Sequence, residues 1–252
     1  MKIGIALSGG GARGIAHLGV LKALDEIGVK LSCISGTSTG AIVGALYADG
    51  VTPDAILDLI INTRFFSSLR PAWTWTGLLH MDGLRDVILK FIPGNSFESL
   101  KIPLTIAATN LRKGRAEYFS QGELIPAILA SCCVPALFNP VQLLGEIYVD
   151  GGIMDNLPCK PIREKCDVLI GSHCNHISSE FDVKNFRSVI ERSLLMAING
   201  NTVVSKSLCD VLIEPPTLGN ISTFEVSKAR ILFEIGYQFT RDNFTVEDFQ
   251  KQ

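Results

Sequence analysis

The feature that most restricts this chain is a run of three glycines. Gly9-Gly10-Gly11 follows a short apolar segment, Lys2-Ile3-Gly4-Ile5-Ala6-Leu7, and an amphipathic stretch begins at Ile15. The pattern reads as a strand, a glycine loop and the start of a helix. Consecutive glycines let the backbone turn through φ > 0 and leave its N–H groups uncovered by any Cβ. A loop such as Ser8-Gly9-Gly10-Gly11-Ala12-Arg13-Gly14 therefore receives negative charge, either a standing phosphate or an oxyanion that exists only during a reaction.

The segments that follow extend the unit. Ile15, Leu18, Leu21, Leu24 and Ile27 recur at spacings of three, the stripe of a helix packed on a sheet, and Gly28 closes it. A second strand is predicted over residues 31–35, running through Gly36-Thr37-Ser38-Thr39-Gly40 into a helix at 41–48. Strand, helix, strand, helix is the order of an α/β fold with a parallel sheet and helices on both faces. Further on, Thr52-Pro53-Asp54 opens a helix to about residue 62, and another is expected over 83–91. Residues 104–109 and 116–119 read as one hairpin, and 141–149, broken at Gly145, as a second. Short strands are expected at 168–171 and 211–213 with a helix around 189–205 between them, and a final helix over 225–239.

Composition narrows the partners. With 252 residues and 47% apolar content, the chain is expected to form one domain over residues 1–252 with a large core. A formal charge of -2 excludes holding nucleic acid or an anionic membrane by bulk electrostatics. Seven cysteines without C-x-x-C spacing fit neither a disulfide framework nor a zinc ribbon, so buried reduced thiols are expected. Only Lys2 precedes the first strand, which leaves no room for a cleavable signal and points to the cytoplasm. The uncharged stretch 124–145 is interrupted by Pro126, Pro135, Asn139, Pro140 and Gln142, and reads as a buried helix, a turn and a strand, not a membrane span.

Gly36-x-Ser38-x-Gly40 lies where a strand turns sharply into a helix, and the small flanking residues permit the strained turn that lifts a serine hydroxyl clear of a sheet. At a helix N-terminus, backbone dipoles favour developing negative charge on Ser38. Gly9, Gly10 and Gly11, at the end of a neighbouring parallel strand, can then supply oxyanion N–H groups above it. The competing reading is a dinucleotide fold, since Gly9-x-Gly11-x-x-Gly14 satisfies G-x-G-x-x-G; the second strand, however, ends in Ile34-Ser35-Gly36 without the acid that would hold a ribose.

A serine nucleophile needs a base, and Asp150 in Val149-Asp150-Gly151-Gly152 is the candidate: a strand ends there in glycines that let the carboxylate lie against another loop. His173 and His176 are the alternatives that would complete a triad, whereas His17 reads as a packed or capping residue and His80 has no motif around it. Phe65, Phe66, Trp73, Trp75, Leu78 and Leu79, among Pro and Gly, suggest a lid or a lipid-facing rim, against ordinary packing of an insertion. Arg112, Lys113 and Arg115 on a hairpin turn are either a contact for anionic lipid or simply solvated.

Together, Ser8-Gly9-Gly10-Gly11-Ala12-Arg13-Gly14, Gly36-Thr37-Ser38-Thr39-Gly40 and Asp150-Gly151-Gly152 resemble the patatin-like phospholipases, especially small bacterial members. Ala130-Ser131-Cys132-Cys133-Val134-Pro135 and Asp155-Asn156-Leu157-Pro158 extend the likeness. The resemblance implies a three-layer α/β/α fold with a mainly parallel central sheet, and a serine–aspartate dyad in which Ser38 attacks and Asp150 takes the proton directly. It implies that Gly9, Gly10 and Gly11 form the oxyanion hole and that Arg13 fixes the loop or an anionic head group. Histidine is then unnecessary. The implied substrates are fatty-acyl esters of membrane lipids or lysophospholipids, hydrolysed without cofactor, with transient peripheral contact at the inner membrane face. The absence of calcium-loop acidic spacing or a zinc ligand set agrees with metal-independent chemistry. A catalytically weak regulatory or scaffold module with the same fold is the second functional reading.

Overall fold

The computed structural model describes residues 1–62, 70–74, 77–80, 82–135, 137–183 and 186–250. The strands are β1 (Ile3–Leu7), β2 (Leu31–Thr37), β3 (Arg70–Thr74), β4 (Gly77–His80), β5 (Leu104–Asn110), β6 (Arg115–Phe119), β7 (Val141–Leu143), β8 (Glu146–Asp150), β9 (Val168–Ser172) and β10 (Val211–Ile213). The helices are α1 (Ala16–Glu26), α2 (Thr39–Asp49), α3 (Pro53–Asn62), α4 (Asp82–Phe91), α5 (Leu124–Cys132), α6 (Phe186–Ser207) and α7 (Ala229–Asn243).

The central sheet runs β10-β9-β1-β2-β5-β8-β7, with β6 also paired to β5. From β10 to β5 every pairing is parallel, and β6, β7 and β8 add antiparallel pairings. The sheet is mixed and, as expected, mainly parallel, and its parallel part carries the glycine loop and the serine turn.

Burial on both faces explains why β1 is apolar without alternation. Ile3, Ile5 and Leu7 face the main core with Leu18, Leu21 and Leu24 of α1. Ala6 faces the other way, into a smaller cluster with Cys33, Leu157, Cys159, Ile162, Cys166 and Leu169. Polar residues at one face would have been stranded there.

Most expected elements form as read. Thr52 caps α3, its Oγ1 accepting from Ala55 N at 3.4 Å. Stretch 124–145 resolves into α5, an irregular turn and β7, and among the described residues no helix is long and apolar enough to cross a membrane. The last helix starts later than predicted because residues Val226–Lys228 form a 3₁₀ turn, and it continues to Asn243. In the aromatic segment 65–79, the backbone of β3 and β4 pairs antiparallel; Phe65, Phe66 and Trp75 lie outside the described residues, and with them the proposed lid.

One strand organises the site. β5 pairs with β6 along residues 106–110, which occupies one of its edges. The other edge is shared: β2 runs along it to Thr37, opposite Ala107, and β8 arrives from the opposite direction to end with Asp150 opposite Ala108. Two chain segments far apart in sequence thus finish against adjacent residues of β5.

Candidate active site

Ser38 is the first residue after β2 and the N-cap of α2. It has φ 53° and ψ -122°, a region that L-residues with a Cβ enter only under strain. The glycines around it permit the turn. A Cβ on Gly36 would lie 2.5 Å from the Gly40 carbonyl oxygen, and a Cβ on Gly40 would strike the Leu7 carbonyl at the end of β1. The elbow is therefore pressed beneath the glycine loop. Its remaining ties are polar: Ser38 N donates to Ser131 Oγ at 2.8 Å, Thr37 Oγ1 to the Asp155 carbonyl at 2.9 Å and Thr39 Oγ1 to the Gly11 carbonyl at 2.9 Å.

The loop itself is partly spent. Gly9 N donates to the Asn156 carbonyl at 3.1 Å, so the expectation that all three glycines offer free N–H groups is corrected. Among the described residues, the N–H groups of Gly10 and Gly11 donate to no protein acceptor. The Gly9 carbonyl is fixed by Asn175 Nδ2 at 2.7 Å, and Ala12 N donates to the Thr223 carbonyl at 2.7 Å.

Arg13 is buried beneath the loop. Its Nε donates to the Ile221 carbonyl at 2.6 Å, Nη2 to Gly219 at 3.2 Å and Nη1 to His176 at 3.5 Å. Arg13 is 4% exposed and its guanidinium is committed to these three carbonyls.

Asp150 ends β8, its N–H donating to the Cys133 carbonyl at 2.9 Å and its Oδ1 accepting from Gly152 N at 2.8 Å. Burial pushes its pKa up from 3.8 to about 6, opposed by the Gly152 N–H and the Ser38 hydroxyl. The hydroxyl is close enough to act on the carboxylate, yet no hydrogen bond of ordinary geometry reaches Asp150 Oδ2. Substrate-free sites often hold such pairs loosely. The Cys132 thiol neighbours both Ser38 and Asp150; burial first, and then the Asp150 charge, raise its pKa well above the ordinary range, so it stays a neutral neighbour.

His17, His173 and His176 are engaged elsewhere. His17 bridges Ser172 Oγ at 2.8 Å and the Ser8 carbonyl at 2.9 Å, and burial lowers its pKa to about 4. His173 Nδ1 meets Glu214 Oε1 at 2.8 Å, and His176 Nδ1 lies 3.8 Å from the same oxygen. Neither hydrogen-bonds to Ser38 or Asp150. The hairpin cations are also paired: Lys113 with Glu117 and Glu146, and Arg115 with Glu117.

Comparison with known proteins now bears on this geometry. Residues 5–162 match the family model for patatin-like phospholipases. The chain belongs to the patatin-like phospholipase family. An uncharacterized NTE family protein of Mycobacterium tuberculosis is 35% identical over 163 residues, covering 64% of this chain and 45% of that protein. Lysophospholipase NTE1 of Cryptococcus neoformans is 34% identical over 172 residues, 65% of this chain and 10% of its own length. The chain thus matches less than half the length of either relative. VipD from Legionella pneumophila shares the fold, with a TM-score of 0.59 at 17% identity over 96% of this chain and 66% of that one. The type III effector protein ExoU gives 0.51 at 16% identity, covering 100% and 54%.

Within this patatin-like site, sequence reasoning gave no role to Ser131, Asn175 or Asn156. Ser131 and Asn156 lie in stretches that carried the family likeness, but their tasks depend on partners distant in sequence. No spacing rule reveals those.

Proposed function

We propose that the protein is a lipid acyl hydrolase that works through a serine–aspartate dyad. Ser38 Oγ attacks the acyl carbonyl while Asp150 Oδ2 takes its proton. The N–H groups of Gly10 and Gly11 stabilise the tetrahedral oxyanion, and the leaving alcohol regains the proton as the acyl-enzyme forms. Water, deprotonated by the same carboxylate, then releases the fatty acid.

One observation carries this reading: a strained serine and a buried carboxylate with an unpaired oxygen finish against neighbouring residues of β5. Strain at Ser38 has no packing purpose, because the turn would be relaxed with glycine there. A carboxylate with its pKa near 6 is a better base than a free aspartate and is still ionised at neutral pH. The fungal relative's name, lysophospholipase, makes single-chain phospholipids the first substrates to try.

The test is covalent labelling and turnover on the same preparation. A fluorophosphonate should modify Ser38, identified by peptide mass, and the protein should cleave lysophosphatidylcholine and a short p-nitrophenyl ester. Failure of both the labelling and the cleavage would leave the fold as a binding module.

A further inference from the structure

Asn156 has no task in the scheme above, yet its side chain sits inside the site. It is 2% exposed, and its Nδ2 is buried without an acceptor. Unpaired buried donors are rare in native interiors and ask for a partner. Its backbone is tied on both sides: Asn156 N donates to Asn201 Oδ1 at 3.1 Å and its carbonyl accepts from Gly9 N at 3.1 Å.

The bare glycines locate the amide. A Cβ on Gly152 would lie 2.9 Å from Asn156 Oδ1 and 3.0 Å from Asp150 Oδ1. A Cβ on Gly9 would lie 2.6 Å from Asn156 Oδ1 and 3.2 Å from the Ser38 Cβ. Gly9 and Gly152 therefore leave open the space the amide fills, between the glycine loop and the aspartate loop. The amide's acceptor end and an Asp150 carboxylate oxygen thus border the same open space at Gly152, while its donor end is buried without a partner. A half-turn of the amide exchanges oxygen and nitrogen in the same volume.

We propose that Asn156 is the positioning residue for Asp150: with the amide half-turned, Nδ2 donates to Asp150 Oδ1 beside the Gly152 N–H, leaving Oδ2 for the Ser38 proton. The base is then oriented by a third group, as nucleophile–base pairs require. This rests on the reading of Ser38 as nucleophile and Asp150 as base. The other groups facing the carboxylate are the thiols of Cys132 and Cys133 from the end of α5, the Ser38 hydroxyl and the Gly152 N–H.

The deciding measurement is the titration of the Asp150 carboxyl carbon by 13C NMR in the full chain, assigned by its loss in Asp150→Asn. A donor to the carboxylate stabilises its charged form, so Asn156→Ala should raise the midpoint by roughly one pH unit. Asn156→Asp, which places a second carboxylate there, should raise it further. In turnover of p-nitrophenyl butyrate, Asn156→Ala should lower kcat about tenfold with KM near wild type, and the acid limb should move with the midpoint. A folded Asn156→Ala protein whose Asp150 midpoint is unmoved overturns the proposal, even if activity or melting temperature falls. If Asn156→Ala does not fold, the smaller polar Asn156→Ser, too short to reach the carboxylate, carries the same measurement. The titration needs no turnover, so a wild type that neither labels nor hydrolyses refutes the hydrolase reading separately.

Discussion

Replacing Ser38 by glycine should make the protein more stable than replacing it by alanine, which inverts the usual order of these residues. Both variants lose the hydroxyl and its contacts, and Ser38 makes no capping hydrogen bond that would separate them. They differ in the Cβ, which alanine keeps at φ 53° and ψ -122°. Holding a residue with a Cβ in such a region costs about 1–3 kcal/mol. Glycine removes that cost but forfeits about 0.5–1 kcal/mol, because its unfolded chain has more freedom to lose. The difference left is about 1 kcal/mol in favour of Ser38→Gly. For a chain of 252 residues this corresponds to a melting temperature higher by roughly 2–4 °C. Differential scanning calorimetry on the two variants, prepared side by side, measures it, and both should be inactive toward p-nitrophenyl esters. Equal stability, or a more stable Ser38→Ala, would mean that the elbow stores no strain and would remove the main physical argument for Ser38 as a built nucleophile.

The same contacts set the response to pH and to substitution elsewhere in the site. Because burial raises the Asp150 pKa from 3.8 to about 6, the folded protein binds more protons than the unfolded chain across that window, and stability falls as pH rises through it. Asp150→Asn should therefore be more stable than wild type at pH 7.5, by up to about 3 kcal/mol in urea denaturation, with the gap closing below pH 4, while turnover drops at least a hundredfold. The acid limb of wild-type kcat/KM should lie near pH 6; a flat profile down to pH 4 would deny Asp150 the role of base. His173→Ala and His176→Ala should keep hydrolysis within a few-fold of wild type, since neither imidazole touches the dyad; loss of two orders of magnitude in either would restore a triad. Arg13→Lys, which cannot reproduce the three donor directions to Ile221, Gly219 and His176, should cost about 2–3 kcal/mol by urea denaturation and weaken labelling of Ser38 through a loosened loop.

What could be read in the sequence was local. The glycine loop, the Gly36-to-Gly40 elbow and the Thr52 cap each declare themselves within a few residues, because turns and helix starts are decided by neighbouring backbone dihedrals. The use made of those residues was not local. Gly9 looks identical to Gly10 in the sequence, yet its N–H is taken by Asn156, a residue brought up by β8 and the turn after it. Arg13 had two readings, and the choice depends on carbonyls at residues 176, 219 and 221, which only the folded chain gathers.

The meeting of Ser38 and Asp150 is the strongest case, because it depends on register along one edge of β5. Residues 104–110 read as a plain buried strand, and nothing in Ala107-Ala108 announces that two strands will end there head to head. The join is close: Gly151 lies so near the Ala107 carbonyl that it has no room for a Cβ of its own. Side chains alternate along a strand, so a one-residue slip of β8 against β5 would turn Asp150 to the opposite face, away from the elbow, with every residue of the motif still present. The motif residues therefore carry the proposed dyad, and the pairing of Thr37 with Ala107 and of Asp150 with Ala108 is what brings the two together.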